Sequence, residues 1–544
     1  MAAAGFRGTL TGGTIRSAYG RFLFHVSVVT GLTLGLTVAG IVSRSLVPWM
    51  MGGWFAYLSA VYAGQAYAVR NWGSPMNRAV FLFGLRRFHR FAHSNPPLAL
   101  AAVVSLAIAF MVGWWTGRLD MSGSVKPLRF VVPLIGAAAL LACAAALSRA
   151  MRFPVRADLL LGVIFGGCGP QAGPPSDDPA FGRRWPAKVG SAPRRRPTVL
   201  FFLIDSLRPR NMSVYGYERA TTPFLDSLLA QRGARAVPLA MSNCASSEVA
   251  AWSLLSSRRA RHVAVNAPCL HDLLHAAGFS VRFLLSGAHR HWMGLEYLYG
   301  SRHDSFVDLL TDEEVVSQVR LLCARPSSAG AFFMFHLMSV HAASGGESPT
   351  MWEPAKNRFR YSETDELDEV AREQIRNHYD SSVFHADTCV AHIVEAFGRK
   401  GFLDDALIVV TGDHGEAIGE RMPVMIGHGR GLYQESIHVP FIVWDTTQAL
   451  PQPVFLADHT DVAPTILGAL GMEAPSAWQG ASVFAHPGRR TVHVEHISHR
   501  VGRAPTHMEA LVAQLPSGLF KHMRYRQGGK DILRQSFCLS TDPG

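Results

Sequence analysis

The sequence predicts an α/β fold with a central, mainly parallel sheet flanked by helices, preceded by an N-terminal bundle of transmembrane helices. Two continuous apolar runs of strand length, residues 198–204 (TVLFFLI) and 406–410 (ALIVV), are typical of strands that a parallel sheet buries on both faces. Helical stretches at residues 222–232 and 380–399 alternate with these runs, as expected when helices cover a sheet. The long apolar runs lie in the first 170 residues and predict the bundle.

Four stretches of the N-terminal region are long and apolar enough to cross a hydrocarbon layer of about 30 Å. They are residues 22–42, 46–69, 97–115 and 129–148. Arginines precede the first span and follow the second and the fourth, so the positive-inside rule puts the N-terminus in the cytoplasm. Four spans return the chain to the cytoplasm, unless the short run at 159–168 forms a fifth. The number of spans therefore decides on which side of the membrane the second half of the chain lies.

Residues 171–197 are rich in proline, glycine and charge and have no apolar period. This composition indicates a linker between the bundle, residues 1–170, and a folded region that begins at residue 198. A chain of 544 residues is also too long for one ordinary domain. We therefore expect at least two structural units.

Charge and cysteine content exclude several classes of protein. The net charge is +12, but much of the excess is arginine beside apolar runs or at residues 194–196. Since no basic stripe is interleaved with aromatic residues, we expect no nucleic-acid partner. The seven cysteines form no CxxC pair, which excludes zinc-ribbon and thioredoxin sites. Disulfide pairing and redox compartment stay open.

Acidic residues and a histidine follow the two predicted strands at the point where each strand ends. Asp205 comes directly after the first strand, and Asp413 and His414 follow the second in the segment TGDH. A single acidic residue after a strand is often only a helix cap. Because ligands bind at the carboxyl ends of parallel strands, we expect the three to meet. Two carboxylates and an imidazole suit zinc, with manganese or another divalent ion as the alternative.

Small hydroxyl residues precede an apolar helical run in the segment SNCASSEVAAWSLLSSR, residues 242–258. This pattern is typical of a nucleophile at a helix N-terminus, where backbone N–H groups and the helix dipole attract phosphate or sulfate. The simpler interpretation is that Ser246 and Ser247 cap a helix that carries Glu248 in its first turn. The sequence of this segment alone does not decide between the two.

Two further histidines lie in loop-like segments, His341 in FHLMSVHAASGG and His428 in MIGHGRG. Either one alone would be a surface histidine or a histidine satisfied by its neighbours. Beside a divalent ion, however, imidazoles can bind a second metal, hold a phosphoryl oxygen or protonate a leaving group. We therefore include both in the candidate site.

Six segments in order resemble the sulfatase-like branch of the alkaline phosphatase superfamily, over residues 198–484. They are FFLIDSLRPRNMSVYGYERATTPFLD, SNCASSEVAAWSLLSSR, HYDSSVFHADTCVAHIVEAF, LIVVTGDHGEAIGE, GHGRGLYQESIHVPFIVW and ADHTDVAPTILGALG. The resemblance implies an alkaline-phosphatase-like catalytic core at residues 198–475. It also implies a small C-terminal α+β subdomain at residues 476–544, in which RRTVHVEHI and ALVAQLPSGLFKHMRYR supply strands.

Within this branch the motifs are most similar to membrane-bound phosphoethanolamine and phosphoglycerol transferases. Val249 and Ala251 occupy the positions at which classical sulfatases carry the proline and arginine that direct conversion to formylglycine, so a formylglycine sulfatase is disfavoured. The chain also departs from the transferases: Asp205 stands where glutamate is usual, Ser247 replaces threonine, and one cysteine lies near the nucleophile instead of two. Substrate identity therefore does not follow from the resemblance.

The resemblance implies a role for each candidate residue. Ser247 is the nucleophile and also a metal ligand, together with Asp205, Asp413 and His414. The remaining catalytic residues are His341 and His428. The cofactor is a divalent metal, zinc in first place, with manganese, magnesium or calcium as alternatives.

The predicted function is that of a membrane-anchored, metal-dependent phosphotransferase with a covalent phosphoserine intermediate. A phospholipid donates a phosphoethanolamine- or phosphoglycerol-type head group, and a glycan or lipid accepts it. The first alternative is a sulfatase-like hydrolase of sulfuric or phosphoric esters, and the second is a non-catalytic membrane protein that binds a glycan or lipid. The expected location is a bacterial inner membrane, which the chain crosses several times, with a periplasmic catalytic domain.

Overall fold

The computed structural model describes residues 192–541, apart from the segments 264–266, 288, 290–294, 301, 322–329, 342–349, 356–366, 421–425, 486–490 and 499–505. The four predicted spans, the run at 159–168 and most of the predicted linker lie outside the described residues. Within the described part of the chain, no helix combines the length and the hydropathy that crossing a membrane requires. The transmembrane bundle therefore stays a prediction.

The described residues form eight α-helices and sixteen β-strands, numbered here in chain order. The strands are β1 (Thr198–Ile204), β2 (Ala234–Ala236), β3 (Leu239–Met241), β4 (Ser280–Ser286), β5 (Ser305–Leu310), β6 (Ala331–Leu337), β7 (Ala406–Gly412), β8 (Ala417–Ile418), β9 (Ile426–Gly427), β10 (His438–Val439), β11 (Phe441–Asp445), β12 (Leu456–Asp458), β13 (Thr491–Ser498), β14 (Thr506–Leu515), β15 (Gly518–Gln527) and β16 (Lys530–Cys538). The helices are α1 (Pro223–Leu229), α2 (Ser247–Ser256), α3 (Leu270–Ala276), α4 (Leu295–Tyr299), α5 (Asp312–Leu321), α6 (Glu369–Gly398), α7 (Gln434–Ile437) and α8 (Val462–Ala469).

A seven-stranded sheet in the order β2-β11-β7-β1-β6-β4-β5 forms the centre of the fold. Strands β7, β1, β6, β4 and β5 are parallel, whereas β11 runs antiparallel to both of its neighbours. The prediction of an α/β core with a mainly parallel sheet is therefore confirmed, and the sheet is mixed. The predicted strand at 198–204 has the same bounds as β1, and the predicted strand at 406–410 continues as far as Gly412.

Hydrophobic clusters cover both faces of the central sheet. Side chains of β1 alternate between them, so Phe201 packs with residues of α2, α3 and α8, and Phe202 packs with residues of α1, α5 and α6. Both rings are fully buried, and burying a side chain of this size contributes about 1.5–3 kcal/mol. These two clusters make the strand ends a rigid support for the polar residues that follow them.

Helix α6 is longer than the sequence predicted, since it begins at Glu369 rather than near residue 380. The Asp368 side chain accepts a hydrogen bond of 2.7 Å from the Ala371 amide and so caps the helix. The first turns are mostly polar and carry few apolar residues, among which Ile375 and Tyr379 are buried. Because apolar residues are so sparse in these turns, the sequence pattern placed the start of α6 too late in the chain.

The C-terminal region forms a four-stranded antiparallel sheet in the order β13-β14-β15-β16. Burial alternates along β14, where Met508, Ala510 and Val512 face a hydrophobic cluster and the residues between them are more exposed. We expected an α+β subdomain from residue 476 onward. Its described residues contain strands and turns and no helix, because the period of two runs through all four strands.

Candidate metal centre and nucleophile

The two acidic residues predicted from the sequence meet because the strands before them are neighbours. In the register of β1 and β7, Ile204 lies opposite Gly412. The next residue of each strand is Asp205 and Asp413 respectively, so both carboxylates emerge at the same edge of the sheet. Both residues are almost fully buried.

Hydrogen bonds fix one oxygen of each carboxylate. Asp205 Oδ1 accepts a bond of 2.9 Å from the Ser206 hydroxyl, and Asp413 Oδ1 accepts bonds from the amides of Ser206, at 2.9 Å, and His414, at 2.7 Å. Ser206 has a φ of +61°, the left-handed region, and this conformation directs its amide toward Asp413. The Oδ2 atoms of both aspartates are left for the centre of the site.

The tautomer of His414 follows from its backbone contact. His414 Nδ1 lies 2.8 Å from the carbonyl oxygen of Gly415, which can only accept, so Nδ1 carries the proton. In the neutral ring, Nε2 then has a free electron pair. This atom lies 3.4 Å from Asp413 Oδ2 and 3.1 Å from Ser247 Oγ. An imidazole held in this way is the usual form of a metal ligand.

Ser247 is the first residue of helix α2, and its hydroxyl points into the site. Its Oγ lies 3.2 Å from Asp205 Oδ2 as well as 3.1 Å from His414 Nε2. Ser246 has the N-cap position, but within the described chain its side chain makes no capping hydrogen bond to a helix amide and instead lies 3.3 Å from Cys244 Sγ. The interpretation of both serines as simple caps therefore does not fit the geometry.

The donor atoms at the centre of the site suit a divalent cation. Those of Asp205, Asp413 and His414 all lie within 4.8 Å of one another, and the three residues are buried. Asp413 Oδ2 is buried and has no hydrogen-bond donor among the described residues. Burial raises the pKa of Asp413, and the neighbouring carboxylate of Asp205 raises it further. A cation bound here would satisfy the orphan oxygen and offset the repulsion between the two carboxylates.

His428 and His341 lie beside the predicted centre. The ring centroids of His414 and His428 are 4.1 Å apart, and those of His341 and His428 are 5.4 Å apart. The structure therefore brings all six predicted site residues together.

Glu416 is a site residue that sequence reasoning missed. It is buried, and its Oε2 lies 3.0 Å from His428 Nδ1. Burial lowers the pKa of His428, but the attraction of the Glu416 carboxylate outweighs this and raises the pKa to about 9. His414, Glu416 and His428 also have donor atoms within 4.8 Å of one another. The glutamate stands two residues after His414 in TGDHGE, which was the available signal.

His336 and His289 were also missed. His336 lies in β6 opposite Leu203 of β1, and its Nε2 is 3.8 Å from Asp205 Oδ2. His289 Nδ1 lies 3.2 Å from His336 Nδ1. In the sequence, His336 is surrounded by apolar residues and so resembles an ordinary strand position. Its place on a strand adjacent to β1 becomes informative only when the strand order is known.

Comparison with known proteins gives one family and several distant relatives. The family model described as Sulfatase matches residues 197–472, about half of the chain. A multifunctional alkaline phosphatase superfamily protein, PehA from Trinickia caryophylli, is 33% identical over 121 residues, which cover 22% of this chain and 23% of that protein. The phosphoethanolamine transferase EptA from Helicobacter pylori is 23% identical over 261 residues, covering 45% and 47% respectively. The chain thus spans from about a quarter to about half of the length of these curated relatives.

Among solved structures, the phosphonate monoester hydrolase from Silicibacter pomeroyi matches with a TM-score of 0.50 and 14% sequence identity. The match covers 64% of this chain and 90% of that structure. At this identity the likeness concerns the fold alone.

Proposed function

The chain belongs to the Sulfatase family, and from this premise we propose that it is a metal-dependent phosphotransferase that works through a phosphoserine at residue 247. One observation carries the proposal: Ser247 Oγ lies between Asp205 Oδ2, at 3.2 Å, and His414 Nε2, at 3.1 Å. A hydroxyl that only capped a helix would bond to the helix amides instead. The Ser247 hydroxyl lies instead among buried oxygen and nitrogen atoms that can bind a metal ion.

The residues of the site have three roles: metal binding, nucleophilic attack and stabilisation of negative charge. Asp205, Asp413 and His414 would hold the cation, which would lower the pKa of the serine hydroxyl and neutralise charge on the phosphoryl group. Ser247 Oγ, after its hydroxyl proton has passed to solvent, attacks phosphorus and forms the new O–P bond while the bond to the leaving alcohol breaks. The amides at the start of α2 face the negative charge that develops on the phosphoryl oxygens.

His428 is suited to protonate the leaving alcohol. Its Nδ1 donates to Glu416, whose carboxylate raises the pKa of the imidazole and so favours the charged ring, and Nε2 can give up a proton. In the second half of the reaction an acceptor hydroxyl attacks the phosphoserine and returns its proton to His428. The two half-reactions predict ping-pong kinetics.

Donor, acceptor and location are part of the same proposal. The phosphoethanolamine transferase EptA is one of the relatives, and the four apolar stretches before residue 150 would hold the site near a lipid surface. We therefore assign a phospholipid as donor and a glycan or lipid as acceptor. The chain would lie in a bacterial inner membrane with its catalytic domain in the periplasm, and zinc would be the first choice of metal.

A second candidate function is hydrolysis of phosphoric or related esters. It is favoured by the match to PehA, a multifunctional alkaline phosphatase superfamily protein. The same serine would form the same intermediate, and water would replace the acceptor hydroxyl. The two functions therefore differ in the second half-reaction only.

Mass spectrometry of the intact protein tests the proposal. Wild type, Ser247→Ala and Ser246→Ala are incubated with bacterial phospholipids and zinc or manganese. We expect a mass increase equal to phosphoethanolamine or phosphoglycerol in wild type and in Ser246→Ala, and none in Ser247→Ala. Ser246→Ala is the matched control for the site of attachment, because it removes the adjacent hydroxyl, which lies 3.3 Å from Cys244 Sγ and is not the predicted nucleophile. An adduct that persists in Ser247→Ala would refute the assignment of the nucleophile.

A further inference from the structure

A histidine of the C-terminal sheet contacts two loops of the candidate site. His496 lies on β13, and its two ring nitrogens have different partners: Nδ1 is 3.2 Å from Cys244 Sγ, and Nε2 is 3.1 Å from the carbonyl oxygen of Gly429. Cys244 stands three residues before Ser247, and Gly429 directly follows His428. The imidazole therefore joins the loop of the nucleophile to the loop of the proton donor.

The partners of His496 determine its tautomer. The carbonyl of Gly429 only accepts hydrogen bonds, so Nε2 carries the proton and Nδ1 of the neutral ring accepts. Cys244 is buried, and burial raises the pKa of its thiol to about 12. The thiol is therefore protonated and donates S–H to Nδ1. Both bonds are compatible with this one tautomer of the ring.

On this basis, and resting on the function proposed above, we propose that His496 is a positioning residue. It fixes the position of Ser247 relative to that of His428. Cys244 Sγ is also 3.3 Å from the hydroxyl of Ser246, the N-cap residue of α2, so a shift of the thiol reaches the start of the nucleophile helix. On the other side, the backbone of Gly429 packs closely against the ring, since a Cβ atom there would lie 3.4 Å from His496 Nε2, and Gly429 directly follows His428.

Further hydrogen bonds attach β13 to the loop that precedes Ser247. The Glu495 amide donates to the carbonyl oxygen of Asn243 at 3.0 Å, and the Asn243 side chain donates to the carbonyl oxygen of His493 at 3.2 Å. Asn243 is itself buried and accepts a bond of 3.0 Å from the Ser253 hydroxyl inside α2. The loop before the nucleophile is thus fastened to the strand that carries His496.

The expected effect is on turnover rather than on metal binding. His496 reaches the site through Cys244 and Gly429, which are not predicted metal ligands. A misplacement of about 1 Å between reacting groups can lower a rate about 100-fold. We expect His496→Ala to lower kcat about 10- to 100-fold and to leave KM and bound zinc close to the wild-type values.

Two conservative variants separate the two contacts. Asn at position 496 can place an acceptor near the site of Nδ1 and keeps the bond from Cys244, whereas Gln can place a donor near the site of Nε2 and keeps the bond to Gly429. We expect His496→Asn and His496→Gln each to recover part of the kcat lost in His496→Ala. Cys244→Ser, which keeps a donor, should stay closer to wild type than Cys244→Ala.

The experiment measures kcat and KM with bis(p-nitrophenyl) phosphate on the full-length protein, with zinc content and free energy of unfolding for each variant. His522→Ala is the matched control, because that histidine lies on the same sheet and is exposed. Combining Cys244→Ala with His496→Ala should cost little more than the larger single change, because both remove the same link. If His496→Ala does not fold, the Asn and Gln variants carry the test.

Three outcomes overturn the inference. The first is a wild-type kcat in a folded His496→Ala, and the second is a loss of zinc or of unfolding free energy in proportion to the loss of kcat. The third is additivity of the two alanine changes. Ser247→Ala is measured in parallel: turnover that survives in that variant refutes the proposed function, whereas a Ser247-dependent turnover with no effect of His496 refutes only this inference.

Discussion

The buried carboxylates of Asp205 and Asp413 set the electrostatics of the site. Each has one oxygen held by hydrogen bonds, and the second oxygens face Ser247 and His414. Without a cation, the site keeps two like charges close together in a medium of low dielectric constant. The geometry that suits a metal is therefore a source of instability in the metal-free protein.

This conflict gives a prediction for Asp413→Asn. The variant removes one of the two charges but keeps an oxygen that can accept from the amides of Ser206 and His414. We expect its metal-free form to unfold at a temperature equal to or above that of the wild type, while the stabilisation by added zinc falls sharply. Thermal unfolding with and without zinc, after treatment with a chelator, measures both effects.

Asp404→Asn is the control, since Asp404 is exposed and should leave both temperatures unchanged. A zinc-dependent stabilisation of Asp413→Asn as large as that of wild type would show that this carboxylate is not a ligand.

His438 gives a second prediction, on the stability of the fold in acid. Burial, and then the ammonium group of Lys521, lower the pKa of His438 from 6.5 to about 4. A group with a depressed pKa stabilises the fold above its unfolded pKa, and this contribution is lost as the pH falls through the folded pKa. The free energy of unfolding should therefore decrease as the pH is lowered from 6.5 to 4.

The variant His438→Phe should flatten this part of the pH profile, by up to about 3 kcal/mol for a shift of this size at 1.36 kcal/mol per unit. Denaturant unfolding at several pH values makes the measurement. His522→Phe, at an exposed position of β15, should keep the wild-type slope. Equal slopes in wild type and His438→Phe would contradict the prediction.

At the scale of elements, the ends of β1 and β7 place the site, and close backbone packing holds the loops that follow. Gly415 illustrates this, because a Cβ atom there would lie 2.2 Å from the carbonyl oxygen of Glu435. The Gly415 amide also donates to the carbonyl oxygen of Ser436 at 3.0 Å. The segment that carries His414 and Glu416 is thus packed directly against α7.

Gly415→Ala should therefore destabilise the protein by about 1–3 kcal/mol or more, because the added methyl group collides with backbone that cannot move aside cheaply. It should also weaken zinc binding, since Gly415 lies next to His414. Gly398→Ala is the matched control: its Cβ would meet only the flexible end of Leu403, at 3.2 Å, and alanine favours the helix. Equal unfolding free energies for the two variants would refute the packing argument.

Sequence patterns predicted some elements and missed others for identifiable reasons. The bounds of β1 could be predicted because the strand is apolar throughout and buried on both faces. The start of α6 could not, since its first turns are mostly polar and its cap is a single aspartate. Asp205 and His414 stand out because each follows such an apolar run. His336 lies within an apolar run, and only the strand order brings it beside Asp205.

At the scale of the whole chain, the side of the membrane on which the catalytic core lies follows from the number of spans. Arginines flank the first, second and fourth apolar stretches on what would be the cytoplasmic side. Four spans would then leave the core in the cytoplasm, where phospholipid head groups of the outer leaflet are out of reach. A fifth span that includes residues 159–168 would place it in the periplasm.

Reporter fusions in a bacterial host distinguish the two topologies. A reporter enzyme that is active only in the periplasm is fused after residue 155 in one chain and after residue 190 in another. We expect no reporter activity after residue 155 and full activity after residue 190, because the segment between them crosses the membrane. As a control, arginine substitutions within residues 159–168 should abolish the activity of the second fusion, since a charge at the centre of a span costs about 2.5–3.5 kcal/mol. Inactivity of both fusions would place the core in the cytoplasm and would exclude a lipid donor of the outer leaflet.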